Sequence, residues 1–262
     1  MQTDPTARPD GRAADDAALA RLLADEAGRL LLEVRAATGF ADPAALKAAG
    51  DRSSHELLMA RLAALRPGDA VLSEEGADDP VRLGADRVWI VDPLDGTREF
   101  SEEGRTDWAV HVALWERGTL VAGAVALPAR GVTLATDVPP VTPVRADGAL
   151  RLAVSRSRPP AFVTALAERL GAELVPMGSA GVKVSAVVLG EVDAYVHGGG
   201  QYEWDSAAPA AVARAAGLFT SRLDGSPLRY NQPDPLLPDL IVCSPALAPA
   251  ILDAVRPTGE GL

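Results

Sequence analysis

Trp89-Ile90-Val91-Asp92-Pro93-Leu94-Asp95-Gly96-Thr97 runs an apolar segment straight into two aspartates. Val88–Val91 reads as a short buried strand, and both carboxylates follow at its end, where α/β proteins gather their ligands. Pro93 stiffens the turn and removes one backbone donor, while Leu94 keeps its carbonyl. Asp92, Asp95 and the Leu94 carbonyl can therefore converge on one point. Gly96 permits close backbone approach, and Gly96-Thr97 can open a turn or helix whose free N–H groups hold an anion. A donor set made only of oxygen suits Mg2+, with Mn2+ as a substitute, over zinc. Taken alone, the same residues also fit an Asp-Pro turn with a solvated second aspartate.

Two further segments bear on that choice. Ser73-Glu74-Glu75-Gly76 follows apolar Val71-Leu72, which puts Glu74 at a second strand end. Glu203-Trp204-Asp205-Ser206-Ala207-Ala208-Pro209 puts an aspartate at the head of an alanine-rich helix. By itself Asp205 is an N-cap, a role aspartate fills well.

Around these segments the periodicity predicts two helices. The first is capped by Asp15 or Asp16, with a stripe of Leu19, Leu22, Leu23, Leu30 and Val34 that ends at Thr38-Gly39. A looser stretch runs to Asp51, and Ser53-Ser54-His55-Glu56 reads as a capping box opening the second helix, through Leu65. Asp107–Trp115, Leu120–Leu127 and Val132–Thr136 then read as three antiparallel strands. Val138–Gly148 holds Pro139, Pro140 and Pro143 and loses apolar periodicity, so it is the expected boundary. Beyond it strand and helix alternate as far as Val255. The expectation is a flexible stretch over 1–12, an α+β unit over 13–140 and an α/β unit over 150–262.

The whole chain of 262 residues suits one large or two modest domains. Its net charge of −11 disfavours a nucleic-acid polymer or an anionic membrane as partner. Cys243 is the only cysteine, which excludes an intrachain disulfide. His55, His111 and His197 are too scattered to suggest a metal cluster, and His111, inside an apolar strand, reads as a core histidine. Trp108, Trp115 and Trp204 read as core aromatics. Arg156 and Arg158 read equally as surface charge or substrate contacts, and Lys183 as a solvated helix residue or a contact. No apolar run reaches the ~18 residues a membrane span needs. The polar start lacks an apolar signal core, and a cytoplasmic location is expected.

In this order the three acidic segments resemble the inositol monophosphatase superfamily of metal-dependent, lithium-sensitive phosphatases, over about Asp15 to Val255. The resemblance implies a two-domain layered α/β/α/β/α sugar-phosphatase-like fold. It implies that Glu74, Asp92, Asp95, Asp205 and the Leu94 carbonyl hold two or three Mg2+ ions. Thr97 and Asp51 would orient the attacking water, and the Gly96 and Thr97 N–H groups would bind the phosphate. Gly178-Ser179-Ala180 matches a substrate-contacting loop from the second unit. A haloacid-dehalogenase reading of Leu94-Asp95-Gly96-Thr97 fails, because Pro93 stands where that family keeps its nucleophile.

Thr97-Arg98-Glu99-Phe100, Ser155-Arg156-Ser157-Arg158 and Gly225–Asn231 are similar to the CysQ-type 3′(2′),5′-bisphosphate nucleotidase branch. That likeness implies hydrolysis of the 3′-phosphate of 3′-phosphoadenosine 5′-phosphate, with 3′-phosphoadenylyl sulfate as a further substrate, in sulfate assimilation. It adds Arg98, Ser155, Ser157, Gly178 and Ser179 to the expected substrate contacts. Departures from the family pattern are Ala48 in place of a threonine, a displaced Lys47, and Gly198 where the monophosphatases carry an inositol-contacting glutamate. The alternatives are an inositol-1-monophosphatase, a fructose-1,6-bisphosphatase, or, in another class, a catalytically silent phosphoester-binding regulator. The partner is then a small phosphorylated nucleotide or sugar, and a homodimer is admitted.

Overall fold

The computed structural model describes residues 11–143 and 148–256. The N-terminal stretch expected to be flexible, the middle of the proline-rich boundary and the last six residues therefore lie outside the described residues or extend only partly into them. Seven α-helices and ten strands form two five-stranded sheets among the described residues.

The first helix, α1, spans Gly11–Thr38. Asp16 is not its cap but a buried mid-helix carboxylate that accepts from Arg66 Nε and Arg87 Nη2, each at 2.8 Å. Leu22, expected in the stripe, is exposed, and the buried face is instead Leu19, Ala20, Leu23, Ala24, Ala27 and Leu31. Helix α2 spans Pro43–Leu65, so the expected start at Ser53 is corrected by ten residues. Asp42 caps it by accepting from the Ala44 and Ala45 N–H groups, with Pro43 at the first helical position. Ser53-Ser54-His55-Glu56 is mid-helix, and Ser54 Oγ donates to the Pro93 carbonyl at 2.7 Å. Gly50 lets this helix close on the site strand, since a Cβ there would lie 2.7 Å from the Phe100 ring.

The first sheet has the order β1 (Ala70–Ser73), β2 (Arg87–Asp95), β3 (Ala109–Glu116), β4 (Thr119–Leu127), β5 (Val132–Ala135), parallel at β1/β2 and antiparallel thereafter. A 3₁₀ turn, Pro80–Gly84, links β1 to β2, and a four-residue helix, α3 (Thr97–Phe100), follows β2. The second sheet uses β6 (Leu150–Ser155), β7 (Ala172–Met177), β8 (Ala194–Tyr202), β9 (Phe219–Ser221) and β10 (Leu236–Cys243), in the order β7-β6-β8-β10-β9. Its helices are α4 (Ala161–Leu170), α5 (Ala180–Val188), α6 (Glu203–Ala215) and α7 (Ala248–Val255).

Three cores define five layers. α1 and α2 cover one face of the first sheet, and α4 and α7 cover the outer face of the second. Between the sheets lie α5 and α6, whose Val182, Val184, Ala207, Ala208 and Val212 join Ile90, Val125 and Leu240 in one core. This is the expected α/β/α/β/α layering. Its consequence is that α6, which follows the second sheet's β8, packs directly on β2, β3 and β4 of the first. No helix among the described residues is long and apolar enough to cross a membrane.

The closest approach of α6 to the first sheet is at Gly123, where a Cβ would sit 2.6 Å from Ala211 Cβ and 3.2 Å from the Ala208 carbonyl. Gly123→Val is expected to destabilise the chain by about 1–3 kcal/mol in urea unfolding, through overpacking. Gly68→Ala, where a Cβ meets nothing within 4 Å, is the control and is expected to stay within about 0.5 kcal/mol.

Candidate active site

The site forms where β2 ends. Every residue of β2 from Arg87 to Asp95 is buried, and its pairing with β3 shifts register between Asp92 and Asp95, across Pro93. That irregularity ends regular pairing and lets the two aspartates turn to one side. Asp92 Oδ1 accepts the Leu94 N–H at 3.0 Å, and Thr97 Oγ1 lies 3.1 Å from the Leu94 carbonyl and 3.5 Å from Asp51 Oδ1. The expected Asp51–Thr97 pair thus meets, with Asp51 supplied by α2 and Thr97 by the first turn of α3. Glu74 arrives from the end of β1 and Asp205 from the first turn of α6, where its Oδ2 accepts the Tyr202 N–H at 2.6 Å.

Asp95 is held from the opposite side of the cleft. Its Oδ2 accepts from Ser179 Oγ at 2.5 Å and from Gly181 N–H at 2.6 Å, and its Oδ1 accepts from Ala180 N–H at 3.1 Å. Ser179 reaches it from φ 51 and ψ 137, a backbone conformation that costs a non-glycine residue of order 1–3 kcal/mol. Gly96, at φ 86, allows the approach, because a Cβ there would lie 3.1 Å from Ser179 Cβ. Gly178 donates its N–H to Asp107 at 2.6 Å. Ser179, expected to contact substrate, thus fixes an acidic residue of the site, whereas Gly178, with the same expectation, is tied to Asp107.

His111 was missed as a site residue. It is a buried histidine of β3, as expected, yet it faces Asp92 across the strand pair and stands among the acids. One ligand atom each from Asp92, Asp95 and His111 lie within 4.8 Å of one another, a group able to hold a metal ion. His111 Nδ1 lies 3.0 Å from the Trp204 carbonyl, which can only accept, so this nitrogen carries the proton; Nε2 stands 3.2 Å from Asp95 Oδ2. The register of β2 against β3 is the signal that would have found it. Of the two readings of Lys183, the solvated one is corrected. The residue is buried, with Nζ donating to the Ser179 carbonyl at 2.6 Å, and burial pushes its ammonium below the usual lysine range.

Beside the acids lies a cavity of about 500 Å³, lined by Asp95, Asp205, Ser179, Lys183, Ser155, Ser157, Arg158, Tyr195 and His197 among others. Ser155 and Ser157 face it as expected. Arg98 does not line it; it is exposed and pairs with Glu102 at 3.2 Å. Arg156 is turned to Glu99 and Glu102, at 2.6 and 2.7 Å, and ties the end of β6 to α3.

The carboxylates are electrostatically unequal. Burial, then the charges of Glu74, Asp95 and Asp205, hold Asp92 well above the usual carboxylate range. Burial, then nearby acids, pushes Glu74 and Asp205 to about 7, and burial with the Glu75 charge pushes Asp51 to about 6. Burial works the same way on Asp95, but His111, Ser179 and Gly181 outweigh it and hold it at about 2. Lys183 Nζ is engaged with carbonyls, so the acids have no lysine or arginine ion pair among the described residues. An acidic oxygen cluster with no lysine or arginine ion pair among the described residues fits hard divalent cations, which supply the missing charge.

Comparison with known proteins gives one family. The model of the inositol monophosphatase family matches residues 13–259. A 3′-phosphoadenosine 5′-phosphate phosphatase of Mycobacterium leprae is 56% identical over 253 residues, which cover 92% of this chain and 93% of that protein. The 3′(2′),5′-bisphosphate nucleotidase CysQ of Escherichia coli is 32% identical over 70% of this chain and 78% of its own. The crystal structure of CysQ from Bacteroides thetaiotaomicron superposes with a TM-score of 0.73 at 29% identity, covering 88% of this chain and 97% of that one.

The raised carboxyls make the metal-free fold sensitive to pH. Glu74 and Asp205 at about 7, against roughly 4 when unfolded, favour the folded state fully below pH ~4 and lose that contribution as pH rises through 7. Asp51 and His111, whose values are also raised, act in the same direction; His197, lowered by burial, opposes them. Thermal unfolding in EDTA should therefore show a lower midpoint at pH 8 than at pH 5.5, with Mg2+ restoring more at pH 8. A metal-free midpoint that rises over that range, or no Mg2+ effect at pH 8, would contradict the electrostatic reading.

Proposed function

The chain belongs to the inositol monophosphatase family, and from that premise we propose that it is a Mg2+-dependent phosphomonoesterase that releases the 3′-phosphate of 3′-phosphoadenosine 5′-phosphate. The observation that carries the chemistry is the convergence of Glu74, Asp92, Asp95 and Asp205 beside the Asp51–Thr97 pair, with Asp95 and Asp205 lining a cavity large enough for a nucleotide. The choice of substrate is supported by the relative that is 56% identical and named for that activity. The exposed Arg158 and the buried Lys183 at the cavity suit a ligand with more than one phosphate.

Glu74, Asp92, Asp95, Asp205 and the Leu94 carbonyl would hold the Mg2+ ions. When bound, these supply charge neutralisation for the phosphoryl group and a lowered pKa for water. The Leu94 carbonyl has a second lone pair beyond the one facing Thr97. Asp51, at about 6, is ionised at neutral pH and close enough to that range to accept a proton from a water held by the Thr97 hydroxyl. That water adds to phosphorus as its proton passes to Asp51, the P–O3′ bond breaks, and the 3′-oxygen takes a proton from solvent as Asp51 returns its own to solvent, giving the 5′-monophosphate and inorganic phosphate. Gly96 keeps the backbone beside Thr97 open to the phosphoryl oxygens.

Phosphate release should be measured from 3′-phosphoadenosine 5′-phosphate, inositol 1-phosphate and fructose 1,6-bisphosphate, each with and without Mg2+. The bisphosphorylated nucleotide is expected to be preferred at least tenfold in kcat/KM, and only with metal; a tenfold preference for either sugar would overturn the assignment. Asp95→Asn should abolish turnover with the far-UV circular dichroism unchanged. Asp51→Asn should lower kcat by about 10²–10⁴-fold, the usual size of general acid–base catalysis, with little change in KM.

A further inference from the structure

We propose that Arg82, on the 3₁₀ turn between β1 and β2, is a positioning residue that sets where Asp205 stands relative to Asp92 and Asp95. Arg82 stands between Glu74 and Asp92 in the sequence but makes no hydrogen bond or ion pair to Glu74, Asp92, Asp95 or Asp205 among the described residues, yet it is 1% exposed. Its Nη1 donates to Asn231 Oδ1 at 2.8 Å and its Nη2 to the Gln232 carbonyl at 3.0 Å, while Asn231 Nδ2 returns a bond to the Arg82 carbonyl at 3.2 Å. Asp78 grips the same guanidinium through Nε and Nη2, at 2.6 and 2.9 Å. Asn231 and Gln232 in turn donate their backbone N–H groups to the two oxygens of Glu203, at 2.6 and 2.7 Å.

Glu203 is the first residue of α6, two before Asp205, and its own N–H donates to the Pro235 carbonyl at 2.8 Å. A continuous chain of charge-assisted bonds thus runs from the strand pair that delivers Glu74 and Asp92 to the first helical turn that delivers Asp205. Asn231 is held at φ 59, in the left-handed region, which turns both N–H groups of the 231–232 segment onto Glu203. By contrast, the cross-sheet ion pair of Arg130 with Glu191 at 3.0 Å touches no residue of the site. A metal held jointly by both sheets needs its ligands placed to within tenths of an ångström, and outer partners that orient ligands commonly govern affinity by 10–100-fold.

This inference rests on Asp205 being a metal ligand, and the test separates the two. Mn2+ binding to EDTA-stripped full-length protein, followed by electron paramagnetic resonance at 20 °C, is compared for wild type, Asp205→Asn, Arg82→Met, Asn231→Gly and Arg130→Ala. Asn231→Gly keeps the left-handed backbone and both N–H bonds to Glu203 while removing the two Asn231 side-chain bonds with Arg82 and leaving only the one to the Gln232 carbonyl, so it tests the bridge even if Arg82→Met does not fold. Arg82→Met and Asn231→Gly are expected to weaken the tightest Mn2+ site about 10–100-fold, with Arg130→Ala unchanged. Substrate KM at saturating Mg2+ should change less than the Mg2+ concentration for half-activation. Wild-type Mn2+ affinity in Asn231→Gly, beside weakened binding in Asp205→Asn, would overturn the role of Arg82 and leave the site reading intact. Wild-type affinity in Asp205→Asn would overturn both. Equal weakening in Arg130→Ala would reduce the effect to general loosening of the sheets and overturn the specific role.

Discussion

The carboxylate of Asp95 is the point on which the two halves of the molecule meet. It is carried by the end of β2, and beside His111 of the same sheet the groups that keep it ionised are Ser179 Oγ and the N–H groups of Ala180 and Gly181, at the start of α5. A buried carboxylate without such donors takes up a proton. Holding it charged therefore requires the first sheet and the central helix layer to be in register. Two absent side chains make the approach possible: a Cβ on Gly181 would lie 1.9 Å from His111 Nε2, and one on Gly96 would press against Ser179 and the Asp107 carbonyl. The strained backbone of Ser179 belongs to the same arrangement.

The remaining acids are left in the opposite condition. Asp92, Glu74 and Asp205 crowd one another with no lysine or arginine ion pair among the described residues, and burial first, then that crowding, raises their affinity for protons. One anchored anion and three proton-holding neighbours form a cluster that gains from divalent cations as pH rises past neutrality. The chain's net charge of −11 is thus a poor guide to its substrate. Locally the acids favour the ions that would in turn favour a phosphoester, while the protein as a whole still disfavours polymeric or membrane anions.

Much of this was legible in the sequence because the acids lie within a few residues of the strand and helix ends that present them. Asp92, Asp95, Thr97, Glu74 and Asp205 could be named from short segments, and the five layers followed from the family resemblance those segments carry. The start of α2 was misread because Ser53-Ser54-His55-Glu56 has the composition of a capping box, while the actual cap, Asp42 before Pro43, lies in a stretch of weak apolar periodicity. The face of α1 was misjudged because alanines, which carry little hydrophobic signal, fill it against the sheet. His111 reaches the Trp204 carbonyl 93 residues along the chain, Ser179 bonds Asp95 84 residues away, and Lys183 is buried between the two sheets, so no local pattern announces any of them. Arg82 is of the same kind, since its partners Asn231 and Gln232 lie 149 and 150 residues away.

The central claim is that carboxylates from both sheets jointly hold the divalent cations that phosphoester hydrolysis needs. Anomalous diffraction from crystals grown with Mn2+, adenosine 5′-monophosphate and phosphate tests it most directly. The account predicts Mn2+ peaks bounded by Glu74, Asp92, Asp95 and Asp205, with phosphate beside Thr97 and the nucleotide in the adjoining cavity. Peaks confined to other residues, or Mn2+ at Asp92 and Asp95 with Asp205 taking no part, would contradict it.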